Sequence, residues 1–405
     1  MGTFTLDKTA SFVLIAVLIL MPVVSHAGGL GIAPLVFILG SIGLLLHLMS
    51  SEKKIPRSPV FLTFGLFLLW VCFTSLWSPY HPDDLLTNYI KLFIMGLVFY
   101  FAPSVMKKVA QTKRLVLQRI FIVTTFLSAI FVTIDIWSGF KFTLLFNPAS
   151  SSDELVYRII DAEQNLGHAI TVLILFSAPM TILLKLNFKI WKLLSILFFT
   201  LIFLAAWKNN LWIGIIGTAA VILTLFLAFK FPNNLPKIAL FIVASSIILA
   251  PLQAFVSSQF LANDLSVIPI SWEHRLRMWA YCWPVIQDNF LAGLGFDAVR
   301  TFDEQWKTRS GMNLTIVSLH PHNAGIHIWT ETGLIGCMLV CAFIFTLFRT
   351  FSKFVTGRNR AVLISGIIIG ALFISVSTYG AWQFWWWASV YFSLGLIHLI
   401  PNREV

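Results

Sequence analysis

The hydrophobic residues of this chain lie in continuous runs of roughly 20 residues, the length that a helix needs to cross a bilayer. Strands of an outer-membrane barrel would instead show short segments of alternating polarity. The pattern therefore predicts an all-α integral membrane protein with about twelve transmembrane helices. The predicted spans begin near Ala10, Gly29, Pro59, Tyr89, Leu115, Leu166, Leu193, Leu211, Ile238, Ala324, Ala361 and Phe384.

The composition supports the same class of protein. With 58% hydrophobic and 11% charged residues, a chain of 405 residues is not a soluble globule. The net charge of +11 would suit nucleic acid, but most Lys and Arg lie in short segments between spans, where the positive-inside rule accounts for them. We therefore expect membrane lipids and no nucleic acid as partners. The cysteines show no metal-ligand spacing, so neither a disulfide framework nor a zinc site is expected; they are Cys72, Cys282, Cys337 and Cys341.

The distribution of charge also predicts the orientation of the spans. Alternate segments are rich in Lys and Arg, which assigns them to the cytoplasm, and an even number of spans puts both termini there. The opposite segment Ser78–Leu86 holds Asp83 and Asp84 but no cation. The first run ends in Ser25-His26-Ala27 like a signal peptide, but the eleven spans behind it favour an uncleaved helix. The cations cluster at residues 53–57, 107–114, 185–192, 230–237 and 349–360.

Two segments on the non-cytoplasmic side are too long to be simple connections. They cover residues 140–165 and 255–322 within a single membrane domain, 1–405. Long loops among short ones often carry function, so these two are the candidate site-bearing loops. The segment Trp382–Trp387 (WQFWWW) predicts an interfacial aromatic belt, with stacking on sugar rings as the less favoured interpretation.

The strongest candidate for chemistry lies in Leu319–Gly336 (LHPHNAGIHIWTETGLIG), where the second long loop meets a hydrophobic run. Asn323 is a good N-cap residue, and the run from Ala324 to Phe348 is long enough to span a bilayer. His322 then lies at the positive end of the helix dipole, which disfavours an imidazolium and keeps a neutral, proton-accepting ring. The same helix end can bind an anion.

The second candidate is a pair of arginines in Ser271–Asn289, which reads as an amphipathic helix lying along the membrane. Arg275 and Arg277 are two residues apart, so they point in different directions. Glu273 stands four residues before Arg277 and predicts an i,i+4 ion pair. Arg275 lacks such a neighbour, which suggests either a lipid phosphate as its partner or packing on tryptophan. The apolar stripe consists of Trp272, Leu276, Trp279 and Trp283.

Four further residues are weaker candidates. Arg158 lies among acidic residues, so a local ion pair is favoured over a phosphate contact. Lys208, in a short turn between two spans, is either an interface anchor or a phosphate ligand. His320 is an alternative base to His322. Glu331 lies eight residues beyond Asn323 and is expected to orient another group, or only to pair with a histidine four residues before it.

Three stretches together resemble a known family. His274–Asp297 is similar to the Arg…Trp…Pro…Gly-x-Gly segment of the O-antigen ligase and polymerase superfamily, and His320–Gly336 is similar to its His-Asn…Glu-x-Gly-x-x-Gly signature. The turn Lys208-Asn209-Asn210 lies where that family usually has Ser-Arg-Gly. Lys208 can neutralise phosphate but lacks the bidentate fork of arginine.

The resemblance implies a GT-C-like glycosyltransferase in the bacterial inner membrane, with its site on the periplasmic side and no metal or other cofactor. Such proteins take a glycan from an undecaprenyl-diphosphate-linked donor; the ligases pass it to a lipid A-core sugar. On this pattern His322 and Arg275 match the essential histidine and the loop arginine, and together with Glu331 they are the catalytic candidates. Arg158, Lys208, Arg277, Asn323 and His320 are candidates for binding the diphosphate or glycan.

Three other functions stay open at this stage. An O-antigen polymerase or a protein O-oligosaccharyltransferase would share the donor and differ in acceptor. A lipid-linked glycan transporter would be similarly basic and hydrophobic, but it should carry polar groups inside several spans and repeated halves. Here the polar residues concentrate in one peripheral loop, which favours an enzyme.

Overall fold

A computed structural model describes residues 2–26, 29, 31–49, 58–81, 85–146, 148–261, 265, 268–309, 311–317, 319–355 and 357–401. Ala27 of the predicted signal-like site, the predicted cytoplasmic cations Lys53, Lys54 and Arg57, and the predicted acidic pair Asp83 and Asp84 lie outside these residues.

The described residues are mostly helical. A two-stranded antiparallel ribbon, β1 (Gln305–Lys307) and β2 (Asn313–Thr315), lies in the second long loop. The helices are α1 (Gly2–His26), α2 (Ile32–Leu48), α3 (Pro59–Thr74), α4 (Leu85–Trp137), α5 (Lys141–Phe146), α6 (Ser152–Asn187), α7 (Trp191–Lys208), α8 (Trp212–Lys230), α9 (Leu235–Ile248), α10 (Ala250–Phe260), α11 (Ile270–Asp288), α12 (Ala324–Phe354), α13 (Arg358–Ser375) and α14 (Phe384–Gly395).

Each predicted span falls on a helix, which confirms an all-α membrane architecture. Among the described helices, six are long and apolar enough to cross a bilayer, or seven if α9 and α10, bent by 56° at their junction, form one span. Others, such as α2 and α3, are shorter. The number twelve therefore stays a prediction. The runs predicted at Tyr89 and Leu115 lie in one element, α4, which bends at Lys113.

The first predicted long loop is largely helical, since α6 begins within it at Ser152 and continues through the span predicted from Leu166. α6 begins at Ser152, because the Ser151 hydroxyl accepts a hydrogen bond from the Glu154 N–H at 3.2 Å. Two acidic residues in its first turn complement the helix dipole. The described part of the segment 140–165 thus consists of α5, short connections and the first turns of α6.

α6 is the central helix of the bundle. Most of its side chains between Leu166 and Leu184 are buried, because α1, α4, α7, α8, α13 and α14 pack around it. By contrast, α7 and α8 expose many large apolar side chains on their outer faces. Such faces suit contact with lipid, where apolar side chains need no cover from water.

Candidate active site

α12 is broken at Gly333, and the loop at residues 290–295 fills the break. Gly333 has φ 60° and ψ −162°, values outside any helix. A break inside a membrane helix frees backbone N–H and C=O groups that need new partners. The loop supplies them: Leu294 N–H to Thr330 O at 2.8 Å, Gly295 N–H to Glu331 O at 3.0 Å, Leu334 N–H to Phe290 O at 2.9 Å and Ile335 N–H to Leu291 O at 3.2 Å.

Two glycines make this close approach possible. A Cβ atom on Gly293 would lie 2.3 Å from the Glu331 carbonyl carbon, and one on Gly333 would lie 2.6 Å from the backbone of Leu291. Both glycines also have positive φ, a region that side-chain-bearing residues rarely adopt. The Gly-x-Gly and Glu-x-Gly motifs are therefore two halves of one interlocked backbone unit.

Glu331 is a fully buried carboxylate that anchors the second long loop. It accepts hydrogen bonds from the N–H groups of Asp297 and Val299 at 3.0 and 3.2 Å. The Trp382 indole N–H donates to the same carboxylate at 2.5 Å, and Nε2 of His327 lies 3.1 Å from it. Protein donors thus surround this carboxylate and tie the loop at Asp297 and Val299 to α12.

The contact between Glu331 and His327 is the i,i+4 pair expected from the sequence. The Ala381 N–H donates to Nδ1 of His327 at 3.0 Å, so Nδ1 carries no proton. Nε2 of His327 faces Oε1 of Glu331 at 3.1 Å. Among the described residues, Nε2 of His327 is buried and forms no hydrogen bond.

His322 precedes the N-cap of α12 and has a free ring nitrogen. Its Nδ1 lies 2.5 Å from the carbonyl oxygen of Thr378. A carbonyl can only accept, so Nδ1 carries the proton and Nε2 presents a lone pair. Among the described residues, none hydrogen-bonds to Nε2. His322 also has a positive φ of 52°, a strained conformation of the kind that clusters at functional sites.

The electrostatic surroundings keep His322 neutral. Burial in the loop lowers its pKa to about 4, and the nearby positive charge of Arg275 contributes to the shift. At neutral pH the ring is therefore an unprotonated base. This agrees with the expectation from the helix dipole, although desolvation is the larger cause.

His320 is less available as a base. Its Nδ1 accepts the His322 N–H at 3.2 Å, and its Nε2 lies 2.9 Å from the side-chain nitrogen of Gln383. Burial lowers its pKa to about 2, and the neighbouring rings of His322 and His327 add to the shift. Its ring centroid is 4.4 Å from that of His322, so His320 supports the candidate base.

Asn323 caps α12 as expected. Its side-chain oxygen accepts the Ile326 N–H at 3.1 Å, and its amide nitrogen donates to Gln253 at 3.0 Å. The side chain is buried with both ends occupied. Asn323 therefore positions the helix start behind His322, and its amide is not open to a substrate.

α11 presents Arg275 to the same site. The predicted helix is confirmed, and the Trp279 indole N–H ties it to the Pro321 carbonyl at 2.8 Å. Arg275 donates from Nε to Ser377 O at 2.9 Å and from Nη1 to Ser271 O at 2.7 Å. Burial lowers its pKa to about 10, so it stays charged at neutral pH.

The two arginines have the different surroundings that their spacing predicts. Arg277 pairs with Glu273 at 2.8 Å and lies over the Trp306 ring, 4.7 Å from its centroid. Glu273 also pairs with Arg309 at 2.6 Å, a contact that could not be predicted from the sequence. Among the described residues, Arg275 has no carboxylate within ion-pair distance. Its guanidinium lies over the Trp272 ring, 5.7 Å from the centroid, so the packing on tryptophan expected from the sequence is present.

The connection at residues 376–383, between α13 and α14, joins these groups. Arg275 and His322 donate to its consecutive carbonyls, Ser377 O and Thr378 O, so the cation and the base lie side by side. The same connection supplies the N–H that binds His327 and the indole that binds Glu331. Sequence reasoning missed this element, because backbone carbonyls leave no signal in composition.

The expected aromatic belt is wrong for Trp385 and Trp386. Both are buried, and Trp386 donates its indole N–H to Ser375 inside the protein. Trp385 donates to Gln383 and packs on the ring of His168, with centroids 4.9 Å apart. The segment follows the 376–383 connection into the bundle, so its rings pack the core beneath the site.

Arg158 and Lys208 are not brought into this cluster. Arg158 forms its expected ion pair with Glu154 at 3.0 Å. Lys208 is exposed, with Nζ 5.8 Å from the centroid of the Trp137 ring. The neighbouring Asn209 donates to the Glu163 carbonyl at 3.0 Å, which fixes the turn against α6.

Comparison with known proteins adds a family to this geometry. Residues 167–341 match the family model described as O-antigen ligase. This match, together with the two relatives that follow, supports an O-antigen ligase-family assignment. A Rickettsia conorii protein named "Putative polysaccharide ligase" is 24% identical over 193 residues, 47% of this chain and 46% of that protein. The Rickettsia typhi protein of the same description is 26% identical over 153 residues, 37% and 36% of the two chains. The chain thus spans less than half the length of these relatives. No solved structure shows a significant match.

The O-antigen ligase match covers part of the cluster. It includes Arg275, His322 and Glu331, as well as Lys208 outside the cluster, and it ends before the 376–383 connection. Arg158 lies before its start. The connection that holds Arg275 and His322 is therefore a finding of the structure alone.

Proposed function

We propose that this protein is an O-antigen ligase: an inverting, metal-independent glycosyltransferase that moves a glycan from undecaprenyl diphosphate to a lipid A-core sugar. The observation that carries the proposal is the pairing of a neutral His322, with its Nε2 free, and an uncompensated Arg275 on adjacent carbonyls. The O-antigen ligase match and the polysaccharide ligases among the relatives support the substrate class.

His322 is the general base in this proposal. Its Nε2 takes the proton from a hydroxyl of the acceptor sugar as that oxygen attacks the anomeric carbon of the donor. The Thr378 carbonyl holds the Nδ1–H, so it fixes the ring and stabilises the imidazolium that forms. A single displacement of this kind inverts the anomeric configuration.

Arg275 stabilises the leaving group. As the bond from the anomeric carbon to the phosphate oxygen breaks, negative charge grows on the departing undecaprenyl diphosphate. A guanidinium that is already held by Ser377 O and Ser271 O needs little reorganisation to meet that charge. Protein cations perform this task, so no divalent metal takes part.

The proposed setting is the periplasmic face of the bacterial inner membrane, in a GT-C-like architecture. The loop that carries Arg275 and precedes His322 alternates with the cation-rich segments, which supports the non-cytoplasmic side. The exposed apolar faces of α7 and α8 support a bilayer around the bundle. A lipid-linked donor can then reach the site from within the membrane.

Deletion of the gene tests the proposal. We expect full-length glycan chains to accumulate on the lipid carrier while the lipid A core stays bare, and expression of the wild-type chain to restore transfer. Single unpolymerised units on the lipid A core would instead identify a polymerase. Unchanged surface glycan and unchanged carrier-linked glycan would contradict both functions.

The pH dependence of transfer provides a second test. Because His322 must be unprotonated to act as a base, kcat/KM should fall only as the pH drops through about 4, the lowered pKa of this ring. An ordinary histidine would give an acid limb near its unperturbed pKa of about 6.5. Steady-state transfer by the protein in nanodiscs measures the acidic limb of the kcat/KM–pH profile. A second assay at neutral pH after each exposure to acid controls for unfolding. An acid limb near the ordinary value would contradict the desolvated base.

A further inference from the structure

A polar cavity of about 200 Å³ lies beside the cluster and has no role in the mechanism above. Drug-sized ligands usually occupy about 300–1,000 Å³, so this space suits one small ring. It combines aromatic rings with one ion pair, a mixture that a purely apolar or purely ionic ligand would not need. Its lining residues are Tyr80, Phe296, Asp297, Arg300, Trp382 and Phe384.

The ion pair at the cavity has unused hydrogen-bonding groups. Arg300 Nε lies 3.1 Å from Oδ1 of Asp297, and the Arg300 side chain is 39% exposed while the Asp297 side chain is 12% exposed. Among the described residues, no partner binds Oδ2 of Asp297 or the two terminal nitrogens of Arg300. Both residues line the cavity, so an acceptor and a fork of donors border the same small space, the set that neighbouring sugar hydroxyls require.

The position of this pair is fixed before any ligand arrives. Asp297 has a positive φ of 57°, and its N–H is bound to the buried carboxylate of Glu331. Glu331 also holds the indole N–H of Trp382, which fixes the ring that lines the cavity. Pre-formed polar and aromatic surfaces reduce the entropy lost on binding.

The aromatic residues supply a second kind of contact. Pyranose rings carry C–H groups on one face, and these pack against aromatic rings while the hydroxyls point sideways. Tyr80 lies under the Arg300 guanidinium, 5.9 Å from ring centroid to the central carbon. Trp382 packs edge-on against Phe296 with centroids 5.5 Å apart. The cavity thus offers flat surfaces next to the polar pair.

A short series of neighbouring residues links the cavity to the candidate base. Trp382 is followed by Gln383, whose side-chain nitrogen contacts His320, and the His320 ring lies 4.4 Å from that of His322. A sugar in the cavity would therefore lie close to the site without displacing the base.

We infer that this cavity binds one pyranose ring of a glycan substrate, and the inference rests on the proposed glycosyl transfer. The ring stacks on Trp382 or Tyr80, while Asp297 and Arg300 bind neighbouring hydroxyls. Both the donor glycan and the core acceptor contain such rings. They share one ligand chemistry, and the experiment separates them.

The test uses Arg300→Gln and Tyr80→Leu in the full-length protein in nanodiscs. Binding of free repeat-unit oligosaccharide and of free core oligosaccharide is measured separately by saturation-transfer NMR. We expect each variant to weaken binding of one of the two about tenfold or more, because a charge-assisted contact or a ring surface is lost. The oligosaccharide that is affected identifies the source. Lys307→Gln removes an exposed cation from the same loop and should leave binding unchanged.

The outcomes separate this inference from the proposed function. Transfer assays on the same variants should show KM raised for the affected substrate and kcat nearly unchanged. If the wild-type protein transfers glycan and the variants bind both oligosaccharides as well as wild type does, the inference that the cavity binds a sugar is wrong. The proposed glycosyltransferase function would still stand. If the wild-type protein binds an oligosaccharide through Arg300 and Tyr80 but never transfers it, the proposed glycosyltransferase function is wrong. The inference that the cavity binds a sugar would still stand.

Discussion

Replacement of His322 with alanine should reduce glycan transfer by about 10²–10⁴-fold, the usual contribution of a positioned general base. The protein should still insert and fold, because the ring makes one hydrogen bond to Thr378 O and lies at the edge of the bundle. Transfer from purified lipid-linked donor to core acceptor measures the loss. The KM for either substrate should change little, since the lost group acts in the chemical step.

Replacement of His322 with asparagine distinguishes loss of the base from a change in the backbone conformation. His322 has positive φ, and asparagine tolerates that conformation well. His322→Asn should therefore leave the backbone conformation unchanged. It still removes the proton acceptor, so it should be as inactive as His322→Ala. His398→Ala, outside the cluster, controls for the loss of a histidine. Near-wild-type transfer by His322→Asn would contradict the assignment of the base.

The local parts of the site could be predicted from the sequence. The cap at Asn323, the start of α12 at Ala324 and the ion pair of Glu273 with Arg277 all depend on residues within four positions of one another. Such contacts follow from the helix period, which fixes which side chains are neighbours. The same period places Glu273 beside Arg277 and not beside Arg275.

The break in α12 could not be predicted, because it depends on contacts between distant backbone groups. Gly293 and Gly333 are forty positions apart along the chain, and only the folded structure shows that each leaves room for the backbone beside the other. The family resemblance indicated two glycine-containing motifs but not their mutual insertion. The function of Glu331 depends on this unit, since the donors to its carboxylate come from the inserted loop and from Trp382.

The role of the 376–383 connection was hidden for a related reason. The sequence shows a tryptophan-rich segment after a hydrophobic run, and such segments usually lie at a membrane interface. Here the chain turns inward, so Trp385 and Trp386 pack in the core and the preceding carbonyls face Arg275 and His322. Amphipathic side chains fit both environments, and sequence periodicity cannot distinguish them.

Replacement of Arg275 with alanine should lower transfer by about 10²–10³-fold, the effect of removing one preorganised group that stabilises transition-state charge. Arg277→Ala should lower it by less than about fivefold, as for other partly exposed ion pairs. The difference follows from the partners. Loss of Arg277 leaves Glu273 bound to Arg309 at 2.6 Å, whereas loss of Arg275 removes a cation that no described carboxylate neutralises.

Arg275 also supports the connection through Ser377 O, so its charge and its hydrogen bond must be separated. Arg275→Lys retains the charge but loses the guanidinium fork, and it should recover part of the activity. Arg275→Gln keeps a donor but no charge and should stay as inactive as the alanine variant. Salt distinguishes these roles as well, because a phosphate contact made by a charge weakens as ionic strength rises. Equal losses in Arg275→Ala and Arg277→Ala, measured by transfer of labelled glycan at matched protein levels, would contradict the distinct roles of the two arginines. The uncompensated cation beside His322 would then be structural, and the leaving diphosphate would need a different partner.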